Sequence, residues 1–224
     1  MSEIFDEADL SGTDFSGRDL AGARFERCII TGASFRHADL SQAHFARCRA
    51  FPEADDHDGE AVDFSYANLR EAVFEHCDLT TADFTHASAY ELAFSDCQLQ
   101  GVDLSNADFT LPIQSTSTLA GFRMTGCNFA FGDLSNTCLT DCILTDNRMI
   151  EALLHNCTLA GADLSGSDLS GIAAKGLDLT GADLRGALFN NLDPRQIPLH
   201  GVRMGLAQGL QILELLGIEI DPDS

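Results

Sequence analysis

The chain has 224 residues, 45% of them apolar, which is enough to bury the core of one domain and argues against disorder. Its 35 acidic and 13 basic residues give a net charge of -22, so its surface should repel nucleic acid and anionic membranes and attract basic partners. No stretch approaches the roughly 20 apolar residues of a membrane span, and the N-terminus does not resemble an export signal. We therefore expect a cytoplasmic protein whose eight cysteines are reduced thiols.

Large apolar residues recur at every fifth position along most of the chain. The N-terminal run is Phe5, Leu10, Phe15, Leu20, Phe25, Ile30, Phe35, Leu40 and Phe45. A period of five fits neither an α-helix nor a β-strand. A small residue, such as Ala23 or Cys28, lies two positions before the large one. Each five-residue unit should therefore send two side chains inward and three outward.

The segments GADLSGSDLSG, YANLREAVF and CDLTTADFT resemble the A(D/N)LXX units of pentapeptide repeat proteins. This resemblance covers nearly the whole chain and implies an all-β fold, a right-handed quadrilateral β-helix with four units in each 20-residue coil. Phe alternates with Leu or Ile in the first run, so a four-sided coil would stack Phe5, Phe25 and Phe45 in one column. Roughly nine coils, spaced by about 4.7 to 4.9 Å, would form a rod about 43 Å long.

The repeat loses its phase at residues 51–62, FPEADDHDGEAV. If the Phe alternation continues, only one unit separates Ala50 from Phe64, and about nine residues leave the coil as a loop. A calcium-binding loop is the alternative. It fits poorly, because Gly59 as its sixth position would place Ala54 first and Ser65 last, where acids are needed. The candidate contact residues of this first loop are Phe51, Glu53, Asp55, Asp56, His57, Asp58 and Glu60.

A second interruption at residues 110–123, TLPIQSTSTLAGFR, keeps the fivefold spacing. It places Gln114 where a large apolar residue belongs and Pro112 at a small position. An irregular coil and a projecting loop both fit, and the polar run at 115–118 favours the loop. Its candidate contact residues are Leu111, Pro112, Ile113, Gln114, Ser115, Thr116, Ser117, Thr118 and Leu119.

The repeat domain, residues 1–203, should end in a C-terminal segment, residues 204–224. An apolar helix is predicted over about 204–216, with Gly217 as its stop. The helix would cap the open end of the stacked strands. A monomeric cap is the simpler alternative, but the apolar surface exceeds what a cap needs, so we expect a homodimer. A short strand with Ile218 and Ile220 should follow the glycine, pair with a twofold mate and lead into the tail. The residues expected at the interface are Leu206, Leu210, Leu213, Leu216, Ile218 and Ile220.

The remaining residues give little evidence for a catalytic or metal-binding site. Seven of the eight cysteines occupy small inward positions, where burial is the simplest interpretation, and only Cys138 does not. His37, His76 and His86 fall on outward positions, where we expect solvent exposure. The sequence has no CxxC pair, phosphate loop or arrangement of nucleophile and base. We therefore predict no enzyme, no cofactor and no metal site.

GVRMGLAQGLQILELLGIEI and LTDCILTDNRM also resemble the Qnr-type quinolone-resistance proteins, a subgroup of the pentapeptide repeats. That resemblance implies a dimer through the C-terminus and two loops that contact a bacterial type II topoisomerase. The chain departs from the subgroup at Ala207, where relatives can carry an aromatic residue, and in a first loop that is longer and more acidic than usual.

The charge of the chain suggests a functional hypothesis, mimicry of duplex DNA. A dimer about 90 Å long, with twice the charge of -22, would carry one net negative charge per ~2 Å, close to one per ~1.7 Å in duplex DNA. However, fourteen of the 35 acids are aspartates immediately before a large apolar residue, where the repeat itself favours Asp. The single lysine, Lys175, favours selected acidity.

The resulting hypothesis is a DNA mimic that binds DNA gyrase, with topoisomerase IV as a second candidate, and protects it from fluoroquinolones. Such a protein would confer antibiotic resistance without binding nucleic acid or a membrane. One alternative is a simple DNA-competitive gyrase inhibitor. Another is a structural β-helix with no topoisomerase partner.

Overall fold

The computed structural model describes residues 2–50, 61–114 and 117–219, with only the backbone of Gln114 and Ser117. Its elements are β1 (Ile4–Asp6), β2 (Arg24–Glu26), β3 (His44–Ala46), β4 (Val73–Glu75), β5 (Leu92–Ser95), β6 (Thr110–Gln114), β7 (Ser117–Ala120), β8 (Phe122–Thr125) and α1 (Leu206–Leu215). Strands β1, β2, β3, β4, β5 and β8 pair in parallel in that order, while β6 and β7 form a separate antiparallel pair.

The chain winds as a four-sided coil, and single parallel bridges join each coil to the next on the sides that lack strands. We number the sides by the large residues at their centres: Phe25 on the first side, Ile30 on the second, Phe35 on the third and Leu40 on the fourth. Residues on the first side pair with residues 20 positions later, as Phe25 does with Phe45. The quadrilateral β-helix predicted from the sequence is confirmed.

Nine coils stack along the rod, as the central residues of the first side show. They are Phe5, Phe25, Phe45, Phe74, Phe94, Met124, Leu144, Leu164 and Leu184. Phe25 stacks on Phe5 at 4.7 Å and on Phe45 at 4.4 Å between ring centroids, so the predicted column is confirmed. Rings on the third side form a second column and meet the first edge to face, as Phe25 and Phe35 do at 5.6 Å. Both arrangements are favourable for aromatic pairs.

The aspartates that precede a central residue shape the turns. Asp63, for example, accepts a hydrogen bond from the backbone N–H of Ser65 at 2.7 Å. All fourteen such aspartates accept this bond from the residue two positions later: Asp9, Asp14, Asp19, Asp39, Asp63, Asp78, Asp83, Asp103, Asp108, Asp133, Asp163, Asp168, Asp178 and Asp183. Side-chain acceptors of this kind stabilise turns, so these residues serve the fold whatever else they do.

A column of buried polar atoms runs beside the corner between the first and second sides. At the other corners, the N–H of the small residue donates to the carbonyl three residues earlier, as Ala33 does to Ile30. At this corner, the N–H groups of Cys48, Cys77 and Cys97 each donate to the thiol sulfur of the cysteine one coil later, at 3.4 Å. The column continues with Cys127 N–H donating to Asn147 Oδ1 (2.9 Å) and Asn147 N–H donating to Ser167 Oγ (3.0 Å).

Helix α1 closes the C-terminal end of the rod. Ile212 is buried against the core, and Leu215 packs beside it. Two glutamine side chains bind open carbonyl groups: Gln208 Nε2 donates to the oxygens of Leu184 and Ala187 at 2.6 Å, and Gln211 Nε2 donates to Phe189 at 2.8 Å. These bonds satisfy acceptors that a further coil would otherwise take. Within the described ranges, no helix is long and apolar enough to cross a membrane.

Candidate functional site

The second interruption is a β-hairpin that leaves the rod between the fourth and first sides. Ala93 pairs with Arg123, a separation of 30 residues instead of 20, so this turn of the helix holds ten additional residues. Ten residues are two repeat units, which explains why the fivefold spacing continues unbroken through the segment. Strands β6 and β7 pair from Thr110 with Ala120 to Gln114 with Ser117, with an irregularity between Pro112 and Gln114.

The hairpin presents apolar side chains to solvent. Ile113 is 53% exposed and Leu119 51% exposed, Pro112 and Thr118 are also exposed, and Leu111 is half-buried. The predicted residues Ser115 and Thr116 lie outside the described residues. Exposed aliphatic side chains on a projecting hairpin are typical of a protein-binding surface.

The foot of the hairpin is fixed to the core. The buried rings of Phe109 and Phe122 pack with centroids 4.5 Å apart. Gly121 N–H donates to the carbonyl of Phe109 at 2.9 Å, and its own carbonyl accepts from Glu91 N–H at 2.7 Å. A Cβ at position 121 would lie 2.9 Å from the Tyr90 ring, so glycine permits this close approach. The foot therefore holds the hairpin on rigid coils.

The first interruption is visible in the register of the residues that flank it. His44 pairs with Val73, a separation of 29, so the coil contains nine residues more than 20. This agrees with the nine-residue excursion predicted from the Phe alternation. Residues 51–60, which include every predicted contact residue from Phe51 to Glu60, lie outside the described residues.

The two insertions occupy opposite corners of the rod. The first enters between Ala50, at the centre of the second side, and Phe64, at the centre of the third. The hairpin enters between Phe109 on the fourth side and Met124 on the first. The insertions therefore divide the surface into two halves, one made of the first and second sides and the other of the third and fourth.

The C-terminal residues predicted at a dimer interface remain largely uncovered in the single chain. Leu206 is 83% exposed, Leu216 44% and Ile218 45%, while Leu210 and Leu213 are half-buried. Ile220 lies outside the described residues. The helix thus uses one face to cap the rod and leaves the predicted leucines on its remaining surface.

The cysteines and histidines lie apart from these surfaces. Seven cysteines are buried and Cys138 is half-buried. Burial raises the pKa of Cys142 and of Cys157 to about 12, so both thiols stay protonated at neutral pH. Across the described part of the chain, no group of three or more His, Cys, Asp or Glu residues is arranged to hold a metal ion.

One exposed cluster was missed by reasoning from the sequence. Tyr66 lies between His37 and His86 on successive coils, with ring centroids 5.1 and 4.9 Å apart. The guanidinium of Arg36 lies 4.8 Å from the centre of the Tyr66 ring. The sequence signal is the spacing of these three rings. Once the nine inserted residues are subtracted, they lie 20 residues apart, which places them on the same corner of successive coils.

Comparisons with known proteins agree with this architecture. The full-length structure of QnrB1, a plasmid-mediated fluoroquinolone resistance protein, matches with a TM-score of 0.85 and 29% identity, over 96% of this chain and 100% of that chain. A trypsin-treated QnrB1 variant matches with a TM-score of 0.84 and 28% identity, over 99% of this chain and 100% of that one.

The search of curated protein sequences gives no match at its significance threshold. The sequence model for pentapeptide repeats matches eight copies, over residues 8–46, 60–91, 117–146 and 149–191. Together with the fold, these matches show that the chain belongs to the pentapeptide repeat family and is a Qnr-type member of it.

Proposed function

We propose that this protein binds DNA gyrase, with topoisomerase IV as a second candidate target, and protects the enzyme from fluoroquinolones. It would bind as a DNA mimic and use the hairpin at 110–120 and the insertion at 51–60 to engage the topoisomerase. No chemical step is involved, since the protein acts by occupying a surface and weakening the complex between enzyme, DNA and drug.

The hairpin is the observation that carries this proposal. A rod that only excluded DNA would need no projecting element, whereas the hairpin extends two apolar side chains, Ile113 and Leu119, away from the coils. Its foot at Phe109, Gly121 and Phe122 packs on the core, so the rod would fix the position of the hairpin. The structural similarity to QnrB1, a fluoroquinolone resistance protein, supports the same assignment.

The charge and shape of the rod support DNA mimicry. A rod about 43 Å long with a net charge of -22 has a linear charge density close to that of duplex DNA. A dimer through the exposed surface of α1 would double its length without changing that density.

The register defines a clean deletion that tests this function. Removing residues 111–120 takes out the ten additional residues and joins Thr110 to Gly121, which restores the 20-residue coil. Gly121 then falls on a corner position, where the left-handed conformation favours glycine, and Phe122 falls on an inward position. A second deletion removes residues 52–60, the nine additional residues of the first insertion, and tests that insertion in the same way.

The assay measures DNA supercoiling by gyrase in the presence of ciprofloxacin, with each protein titrated. We expect rescue by the wild-type chain and loss of rescue after deletion of 111–120, with an unchanged melting temperature. Rescue by the hairpin deletion would contradict the role of the hairpin. Inhibition without rescue by the wild-type chain would favour a simple competitor, and no effect on gyrase or topoisomerase IV would leave a structural β-helix.

A further inference from the structure

The two halves of the rod differ in their positive charges. Eight of the twelve arginines lie on the first and second sides: Arg24, Arg27, Arg47, Arg49, Arg123, Arg148, Arg185 and Arg203. Several are bound to neighbouring acids, as Arg27 is to Asp6 at 2.6 Å and Glu7 at 3.0 Å. The third and fourth sides carry the other four arginines together with Lys175. The first and second sides also carry more acids, so both halves of the rod stay acidic and both attract a basic partner.

Tyr66 lies on the corner between the third and fourth sides, in the middle of this arginine-poor half. Its side chain is 44% exposed, and the flanking rings of His37 and His86 are exposed as well. The one arginine beside it, Arg36, is held by Ser65 Oγ at 2.8 Å and by Asp63 at 4.0 Å. The cluster is thus an ordered aromatic surface whose local positive charge is already matched.

The backbone at Tyr66 is an unfavourable place for an aromatic residue. Its φ is 59°, in the left-handed region that costs non-glycine residues conformational energy. Along the same corner, the later coils place Asn106, Asn136 and Asn156 at positive φ, joined by amide hydrogen bonds of 3.2 and 3.1 Å. Asparagine tolerates this conformation, so the fold alone does not call for tyrosine at position 66.

We infer that Tyr66, flanked by His37 and His86, is the aromatic anchor of a docking surface for a basic protein surface. Aspartates of the third side form its rim, where the column Asp63, Asp83, Asp103 and Asp133 runs through four successive coils. An aromatic anchor within a polar rim is the usual composition of an interface hot spot. This inference rests on the proposed function and names the part of the rod that faces the topoisomerase.

The test compares two aromatic residues in matched settings. Tyr66→Asn introduces the residue found at three other positions of that corner, and Phe131→Asn is the control. Phe131 has a φ of 60° and is 50% exposed, but it lies on the corner between the second and third sides. Asp83→Asn with Asp103→Asn is a further variant that should keep both turns, since Asn68 and Asn128 already make the same turn bond.

Binding is measured by surface plasmon resonance on immobilised gyrase, and folding by circular dichroism. We expect Tyr66→Asn to raise Kd at least tenfold, the aspartate pair to raise it severalfold with a weaker dependence on salt, and Phe131→Asn to change it less than twofold. If the wild-type chain binds and Tyr66→Asn binds within twofold of it, the inference is wrong while the proposed function stands.

Equal weakening by Phe131→Asn would also overturn the inference, because the effect would not belong to the Tyr66 corner. If Tyr66→Asn fails to fold, the aspartate pair decides, and unchanged binding by that variant contradicts the docking surface. Absence of binding by the wild-type chain to gyrase and to topoisomerase IV would instead refute the proposed function.

Discussion

Replacement of Cys97 tests whether the buried cysteines are hydrogen-bond acceptors or only apolar fillers. Cys97 Sγ accepts the N–H of Cys77 at 3.4 Å, and its thiol lies within donating distance of two carbonyls, those of Phe74 at 3.4 Å and Ser95 at 3.3 Å. Cys97→Ala would remove this acceptor and leave the Cys77 N–H buried without a partner. Cys97→Ser would keep both bonds, as Ser167 does when it accepts from Asn147 at 3.0 Å and donates to Leu144 at 2.7 Å.

The expected magnitudes follow from two contributions. Loss of a buried sulfur is comparable to loss of a methylene group, about 1 kcal/mol. An unsatisfied buried N–H adds about 1 to 3 kcal/mol, so Cys97→Ala should lower the free energy of unfolding by about 2 to 4 kcal/mol. Cys97→Ser should lower it by about 1 kcal/mol, since only packing is lost.

Urea denaturation followed by circular dichroism measures these differences, with a constant m-value required before midpoints are converted to free energies. The order of the Ala and Ser variants in stability decides whether the sulfur is a hydrogen-bond acceptor or an apolar filler. Ala should be worse than Ser at position 97. If Ser is the worse replacement, the sulfur column is only packing and the hydrogen-bond argument is wrong.

Two further predictions concern the C-terminal end. The hydrogen bonds from Arg185, together with the charge of Arg203, hold the pKa of Asp183 well below its usual range. The ionised carboxylate therefore stabilises the fold at any pH above the unfolded pKa of about 3.9. This stabilisation is lost as the pH falls from there toward the lower folded pKa. Asp183→Asn should therefore lower the melting temperature at pH 7 and have a smaller effect at pH 2.5; an equal effect at both would contradict the ion pair. Leu206→Arg, at the most exposed leucine of α1, should convert a dimer to a monomer in light scattering with little change in circular dichroism, whereas a wild-type monomer would refute the dimer.

The coil was predictable because its period is set by covalent spacing. One large and one small inward residue in every five determine which side chains enter the core, and the ten-residue spacing of Phe5, Phe15 and Phe25 predicts two opposite columns. The first insertion was detected because nine is not a multiple of five. The second was ambiguous because its ten residues keep the period, so only Pro112 and Gln114 at wrong positions indicated it.

The surface was less predictable because residues that contact each other there lie one whole coil apart in the sequence. Tyr66 and His37 are 29 residues apart in sequence and stack only once the inserted nine residues are subtracted. The roles of Cys77 and Cys97 depend on the turn geometry at one corner, which the repeat pattern does not encode. In the sequence, Gln208 and Gln211 are only two polar positions on an apolar helix. Their role depends on the open carbonyl groups of the last coil, which only the structure shows.

The acidity of the chain can now be divided between fold and function. Each of the fourteen aspartates before a central residue supplies an acceptor to a turn, and without those charges the net charge of -22 would be only -8. The turn needs an acceptor and does not need its charge, because the neutral amides of Asn68 and Asn128 make the same contact at 3.4 Å. Asparagine throughout would therefore give a similar coil with little charge. The preference for aspartate over asparagine therefore supports a partner that selects how much negative charge the rod carries.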